Sequence, residues 1–94
     1  MALSYQLSVS IPSGVMRRRL GDESVILELD SAHYFGLDEV GTRMLDLLDR
    51  SATIQEAYDA LLEEYEVEPD ELAREFEQLI DKLLARKLIA TEAP

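Results

Sequence analysis

The side chains that could do chemistry in this 94-residue chain lie around its single histidine. Asp30, Ser31 and His33 stand close together and are the residue types of a nucleophilic triad. Three such residues within one turn cannot reach the geometry of a triad with a supported oxyanion hole. One histidine and no cysteine also argue against a dedicated zinc site. We therefore interpret His33 as a surface residue of a strand.

The other patterns that would carry catalysis are also missing from the sequence. The carboxylates are numerous, but none stands in a pattern typical of general acid and base pairing. Gly36 and Gly41 are isolated and do not form a phosphate-binding loop. The acidic run at 63–66 does not match a calcium-binding EF-hand loop. The sequence predicts a binding module rather than an enzyme, with no cofactor and no metal.

The charge balance narrows the class of partner. Twenty acidic and nine basic residues give a net charge of −11, which repels nucleic acid and anionic lipid. A basic peptide or a basic protein patch is compatible with this surface, although acidity that only keeps the protein soluble remains an alternative. Arg17–Arg19 either guard an edge strand or dock an acidic partner. No membrane span or signal peptide is present in the pattern, so we expect a cytoplasmic location.

The elements that must position these residues divide the chain into two parts. The length predicts a single domain over residues 1–94. Residues 1–36 have strand-like patterns and residues 38–90 have helical ones. The predicted strands are Tyr5–Val9, Val15–Leu20, the alternating run Val25–Leu29 and the short stretch His33–Gly36.

Three helix starts are marked by capping residues. Asp38 is a suitable N-cap, Thr53 and Glu56 form a capping box, and Pro69 suits a first helical turn. The third helix is the longest, about 18 residues by its 3.6-residue spacing. Its apolar stripe contains Leu72, Phe76, Leu79, Ile80, Leu83, Leu84 and Leu88.

A small antiparallel sheet followed by three helices is an α+β fold that is similar to a winged helix-turn-helix. The acidic third helix argues against the DNA binding that this shape often serves. A short edge strand at 33–36 could instead accept an extended peptide as one more strand. The groove would have Tyr34 or Phe35 on one wall, depending on the turn before them, and the stripe of the third helix on the other.

A family resemblance supports this interpretation. The runs SVILELDSAHYFGLDEVGTRMLDLL and TIQEAYDALLEEYEVEPDELAREFEQLIDKLLARKLI resemble the PqqD-type family, over about residues 5–90. Its members are leader-binding proteins of ribosomally made, modified peptides, also called RiPP recognition elements. The stretch YFGLDEVG is most similar to the stand-alone lasso-peptide branch.

The resemblance implies a winged helix-turn-helix-like fold with an N-terminal three-stranded antiparallel sheet followed by three helices, and it also implies a function and a site. The domain would bind the leader of a precursor peptide beside strand 33–36 and against the third helix, and deliver it to a separate leader peptidase and a cyclase. The peptide-binding positions that it implies are Ala32, His33, Tyr34, Phe35, Asp70, Leu72, Glu75, Phe76, Leu79 and Leu83. We predict on this basis that Phe76→Ala lowers leader affinity at least tenfold while the fold survives.

Three other interpretations remain open at the level of sequence. The first is another branch of the same family, such as the pyrroloquinoline quinone pathway, in which the partner is a radical enzyme. The second is an acidic winged-helix adaptor that contacts other proteins. The third is a small enzyme of an unrecognised type.

Overall fold

The computed structural model describes residues 3–93. Its elements follow the predicted order, with one further strand at the end. They are β1 (Ser8–Ser10), β2 (Val15–Leu20), β3 (Glu23–Glu28), β4 (Tyr34–Leu37), α1 (Glu39–Arg50), α2 (Ile54–Glu64), α3 (Pro69–Ala85) and β5 (Ala90–Glu92).

The main sheet is antiparallel and has the order β2-β3-β4. This sheet and the three helices confirm the predicted α+β fold. Ile26 in the central strand lies between Arg17 of β2 and Phe35 of β4, and this row faces the helices. Because β3 is central, one edge of β4 has no strand partner among residues 3–93.

The N-terminal strand does not join the main sheet. β1 pairs with β5 in a separate two-stranded antiparallel ladder, in which Val9 is opposite Thr91. The prediction of helical structure up to residue 90 is therefore wrong at its end. Helix α3 has 17 residues, and Lys87 closes it in the left-handed conformation with a φ of 59°.

The hydrogen bonds after α3 explain where the chain leaves the helix. The amide of Leu88 donates to the carbonyl of Leu83 over 2.9 Å, and the amide of Lys87 donates to the carbonyl of Leu84 over 3.0 Å. These two bonds form the Schellman arrangement of a helix end. Leu88 is thus outside the helix, although it is fully buried in the core.

The helix starts agree with the capping pattern. The carboxylate of Asp38 accepts a bond from the amide of Gly41 over 2.8 Å, and the hydroxyl of Thr53 accepts one from Glu56 over 3.2 Å. Pro69 occupies the first turn of α3. Asp38 and Thr53 each satisfy an amide that the helix itself leaves free, whereas α3 begins with no side-chain cap bond.

The arginine run of β2 joins the sheet to α1. Arg17 donates to Asp46 Oδ1 over 2.6 Å, and Arg19 donates to Asp46 Oδ2 over 3.0 Å. Asp46 is only 7 % exposed, so its charge is largely shielded from water and held by these two cations. Two of the three arginines therefore have a structural role on the inner face of the sheet. Within residues 3–93 no helix has the length and apolar character needed to cross a membrane.

Candidate functional site

A groove lies between the start of α1 and the middle of α3, beside the C-terminal end of β4. It contains a cavity of about 280 Å³. We call this cavity, together with the free edge of β4 (Tyr34–Leu37) beside it and the facing side of α3, the β4–α3 groove. The residues that line its cavity are Asp38, Val40, Gly41, Met44, Glu75 and Leu79.

The register of β4 decides which aromatic residue belongs to the groove. Residues 29–33 connect β3 to β4, so Tyr34 pairs with Leu27 and Phe35 pairs with Ile26. Tyr34 is on the outer face of the sheet and is 70 % exposed. Phe35 is half-buried on the helix side, and the guanidinium carbon of Arg86 lies 4.8 Å from its ring centroid. Phe35, not Tyr34, therefore faces the end of α3.

The third helix contributes fewer apolar groove residues than its sequence pattern predicts. Glu75 and Leu79 are one helical turn apart and line the cavity together. Leu72, Phe76 and Leu83 are 2 %, 0 % and 0 % exposed. The structure places these three in the core rather than on the groove wall, because one side of the stripe packs against the rest of the domain.

Phe76 packs on the side of α3 where the helix meets α2 and the N-terminal segment. Its ring centroid is 6.0 Å from that of Tyr58 and 6.4 Å from that of Tyr5. Tyr5 in turn donates a hydrogen bond to Glu77 over 2.8 Å. Burial, together with this bond, raises the pKa of Tyr5 well above its usual value. Phe76 is thus the centre of an aromatic cluster that holds the helices together.

The remaining predicted positions lie outside the cavity. Ala32 has a left-handed φ of 60° in the turn before β4. His33 is exposed, and its carbonyl accepts a bond from the amide of Glu28 over 2.8 Å. Asp70 is on the α2 side of α3. The pKa of Tyr58 is raised mainly by burial and further by the negative charge of Asp70. The structure does not bring these residues together with Glu75 and Leu79.

Four cavity residues were not predicted from the sequence, namely Asp38, Val40, Gly41 and Met44. They belong to the N-terminal part of α1 and its cap, whose apolar residues have the spacing of an ordinary core helix. Gly41 lets the backbone come close there, because an added Cβ would lie 3.2 Å from Asp38 Oδ1 and 3.3 Å from Leu37 Cδ2, and both side chains would have to shift slightly. The exposure of Val40, at 37 %, is the signal that this face is not entirely core.

The arrangement suits binding of an extended chain. The free edge of β4 offers backbone N–H and C=O groups in the spacing that a new strand needs. Leu79 and Val40 supply apolar contact, Met44 lies buried beneath them, and Glu75 and Arg86 supply charge. Among residues 3–93, no group of three or more histidine, cysteine or acidic side chains is placed to hold a metal ion.

Comparison with known proteins agrees with this geometry. A family model described as coenzyme PQQ synthesis protein D (PqqD) matches residues 23–89, which include β3, β4 and all three helices. The chain belongs to the PqqD family. This confirms the expectation of a PqqD-type recognition element.

A solved structure is similar to this PqqD-family chain over most of its length. It is described as TbiB1 in complex with the TbiA(beta) leader peptide, and its sequence is 32 % identical. The similarity covers 85 % of this chain and 93 % of that chain, with a TM-score of 0.78. A search of curated protein sequences found no match.

Proposed function

We propose that this protein binds the leader region of a ribosomally made precursor peptide in the β4–α3 groove. The observation that carries the proposal is the free edge of β4 beside the cavity that Glu75 and Leu79 line. The leader would add to this edge as a fourth strand of the main sheet. The similar TbiB1 structure, which holds a leader peptide, supports the proposal.

The affinity of such a complex follows from two kinds of contact. Each backbone hydrogen bond to β4 contributes about 0.5–1.5 kcal/mol, and each well-buried apolar anchor contributes about 1.5–3 kcal/mol. Ordering a flexible leader costs about 2–5 kcal/mol. Three to four hydrogen bonds and three anchors together reach the roughly 8 kcal/mol of micromolar binding.

The proposal extends to the steps after binding. The protein would deliver the bound precursor to a separate leader peptidase, after which a cyclase closes a lasso ring. The YFGLDEVG stretch and the similarity to TbiB1 support this branch. The description of the family model as a coenzyme PQQ synthesis protein favours one alternative, in which the partner is a radical enzyme. A peptidase and an asparagine-synthetase-like cyclase encoded beside the gene would distinguish the lasso branch.

The test is a fluorescence-anisotropy titration with the leader of the small precursor gene nearest to this one. Saturable binding with a Kd in the micromolar range or below is expected, with no binding to duplex DNA. A leader that does not bind, alone or with the neighbouring peptidase present, would contradict the proposal.

Strand addition has its own signature. Along an added strand, the N–H groups of alternate residues point toward β4 and the others point to solvent. A series of leaders with one N-methylated amide each should therefore lose affinity at every second position, by about fivefold or more. The intervening positions serve as matched controls. Uniform effects along the series would show that the leader does not bind as a strand.

A further inference from the structure

The β4–α3 groove carries opposite charges at its two ends. Glu75 lines the cavity near Asp38, at the C-terminal end of β4. The guanidinium group of Arg86 lies over Phe35, nearer the N-terminal end of β4. Among the residues that the structure describes, neither Glu75 nor Arg86 takes part in an ion pair. Both charges are therefore available to a ligand.

The spacing of the two charges can be estimated from both walls. Residues 75 and 86 are eleven positions apart, which is about 16 Å along a helix. Phe35 and Asp38 are three positions apart, which is about 10 Å along a strand. The two walls therefore place the charges between about 10 and 16 Å apart, which corresponds to about three to five residues of extended chain, and four is the one spacing in this range that puts both ligand side chains on the same face.

The alternation of a strand then fixes which ligand residues meet these charges. Side chains at i, i+2 and i+4 point to one face, so a ligand residue at i can meet Glu75 while the residue at i+4 meets Arg86. The residue at i+2 lies between them, where Leu79 supplies an apolar surface.

The direction of the ligand follows from the sheet. β3 is antiparallel to both β2 and β4. Because purely antiparallel sheets are over-represented among proteins, we expect a strand added beside β4 to be antiparallel as well. An antiparallel ligand has its N-terminal part at the Asp38 end of β4. The residue that meets Glu75 therefore precedes the one that meets Arg86.

We infer that the groove selects leaders by charge order, and this inference rests on the proposed function. The preferred segment carries a lysine or arginine, an apolar residue two positions later, and an aspartate or glutamate two positions after that. Glu75 and Arg86 are thus specificity-determining residues that set which leader binds and in which direction. A segment with the two charges exchanged faces repulsion at both ends.

The experiment is a phage-display selection from random twelve-residue peptides, carried out on two proteins in parallel. One is the unchanged protein and the other is the charge-exchanged variant Glu75→Lys/Arg86→Glu. The unchanged protein should enrich peptides with the basic residue four positions before the acidic one. The variant should enrich the opposite order.

The enriched peptides then provide the quantitative test. Each exposed ion pair changes a binding constant by about two- to fivefold, so exchange at both ends should weaken the peptide of the unchanged protein about tenfold or more. The matched control is Arg74→Glu/Asp81→Lys, which exchanges two exposed charges of α3 about 100° or more away from Glu75 around the helix. Its affinity should stay within twofold.

Two results would overturn the inference, and they have different meanings. If both proteins enrich the same peptides without regard to charge order, the groove does not select by charge, while leader binding stands. If the unchanged protein retains no peptide from the library and also fails to bind the leader of the neighbouring precursor gene, the proposed function falls together with the charge rule.

Discussion

Replacing Leu79 by alanine should weaken leader binding about two- to fivefold and leave the protein folded. Leu79 lines the cavity and is already more than half-buried before any ligand arrives. Full burial of a leucine side chain contributes about 1.5–3 kcal/mol, so a ligand that covers the remaining third gains about 0.5–1 kcal/mol. Since about 1.4 kcal/mol corresponds to a factor of ten, the affinity should fall by roughly two- to fivefold.

Replacing Phe76 by alanine should have the opposite effect, which is a loss of stability rather than a selective loss of leader affinity. Its ring is fully buried between Tyr5 and Tyr58, and removal of a buried phenylalanine costs about 3–5 kcal/mol. A domain of this size has a free energy of unfolding of only about 5–14 kcal/mol. In place of the selective loss of affinity that was predicted from the family resemblance, Phe76→Ala should lose a large part of its stability.

Two measurements on each variant separate these profiles. Urea denaturation, monitored by circular dichroism, gives the free energy of unfolding. A fluorescence-anisotropy titration without urea gives the leader affinity. Leu79→Ala with unchanged affinity would refute the groove. Phe76→Ala with unchanged stability and tenfold weaker binding would refute the placement of its ring in the core.

Three further predictions concern the sheet–helix junction and a helix cap. Asp46→Asn should lower the free energy of unfolding by about 3 kcal/mol, because the charge of Arg17 is left without its buried partner. Urea melts measure this change, and the exposed control Asp49→Asn should change the free energy of unfolding by less than about 0.5 kcal/mol. Burial raises the pKa of Asp46, but the hydrogen bonds from Arg19 and Arg17 outweigh it and hold this pKa below its usual value. The Asp46 carboxylate therefore stabilises the fold fully above about pH 4, and this stabilisation is lost as the pH falls further. Between about pH 4 and pH 2 the unchanged protein should lose more stability than Asp46→Asn. Parallel plots of unfolding free energy against pH for the two proteins would contradict this. Thr53→Ala should cost about 1 kcal/mol of stability without altering leader affinity, as thermal melts and anisotropy would show.

Much of the fold could be predicted because its signals are local. Asp38, Thr53 and Pro69 mark helix starts through bonds or dihedral angles that involve only a few neighbouring residues. The alternation of β3 is equally local. The strand β5 could not be predicted, since Ala90–Glu92 has no alternating pattern of its own and is a strand only through pairing with β1.

The site was harder to predict because it depends on which element each face meets. A helical stripe shows that Phe76 and Leu79 are on the apolar side of α3, but not that one faces Tyr58 and the other faces the groove. The choice between Tyr34 and Phe35 depended on the length of the connection before β4. The role of Val40 was hidden by a spacing typical of an ordinary core helix.

The ladder between β1 and β5 has a consequence for the rate of leader binding. It fixes the chain that follows α3, while Ile54 and Gln55 at the start of α2 donate to the carbonyls of Leu7 and Tyr5 just before β1. These pairings tie the end of α3 and the start of α2 to the same N-terminal segment, so we expect α3 to keep its position in the free protein. We then expect no opening step before the encounter, and the observed association rate should rise linearly with protein concentration, without the plateau that a slow opening imposes. Differences in affinity among leaders should accordingly appear in how long each complex lasts.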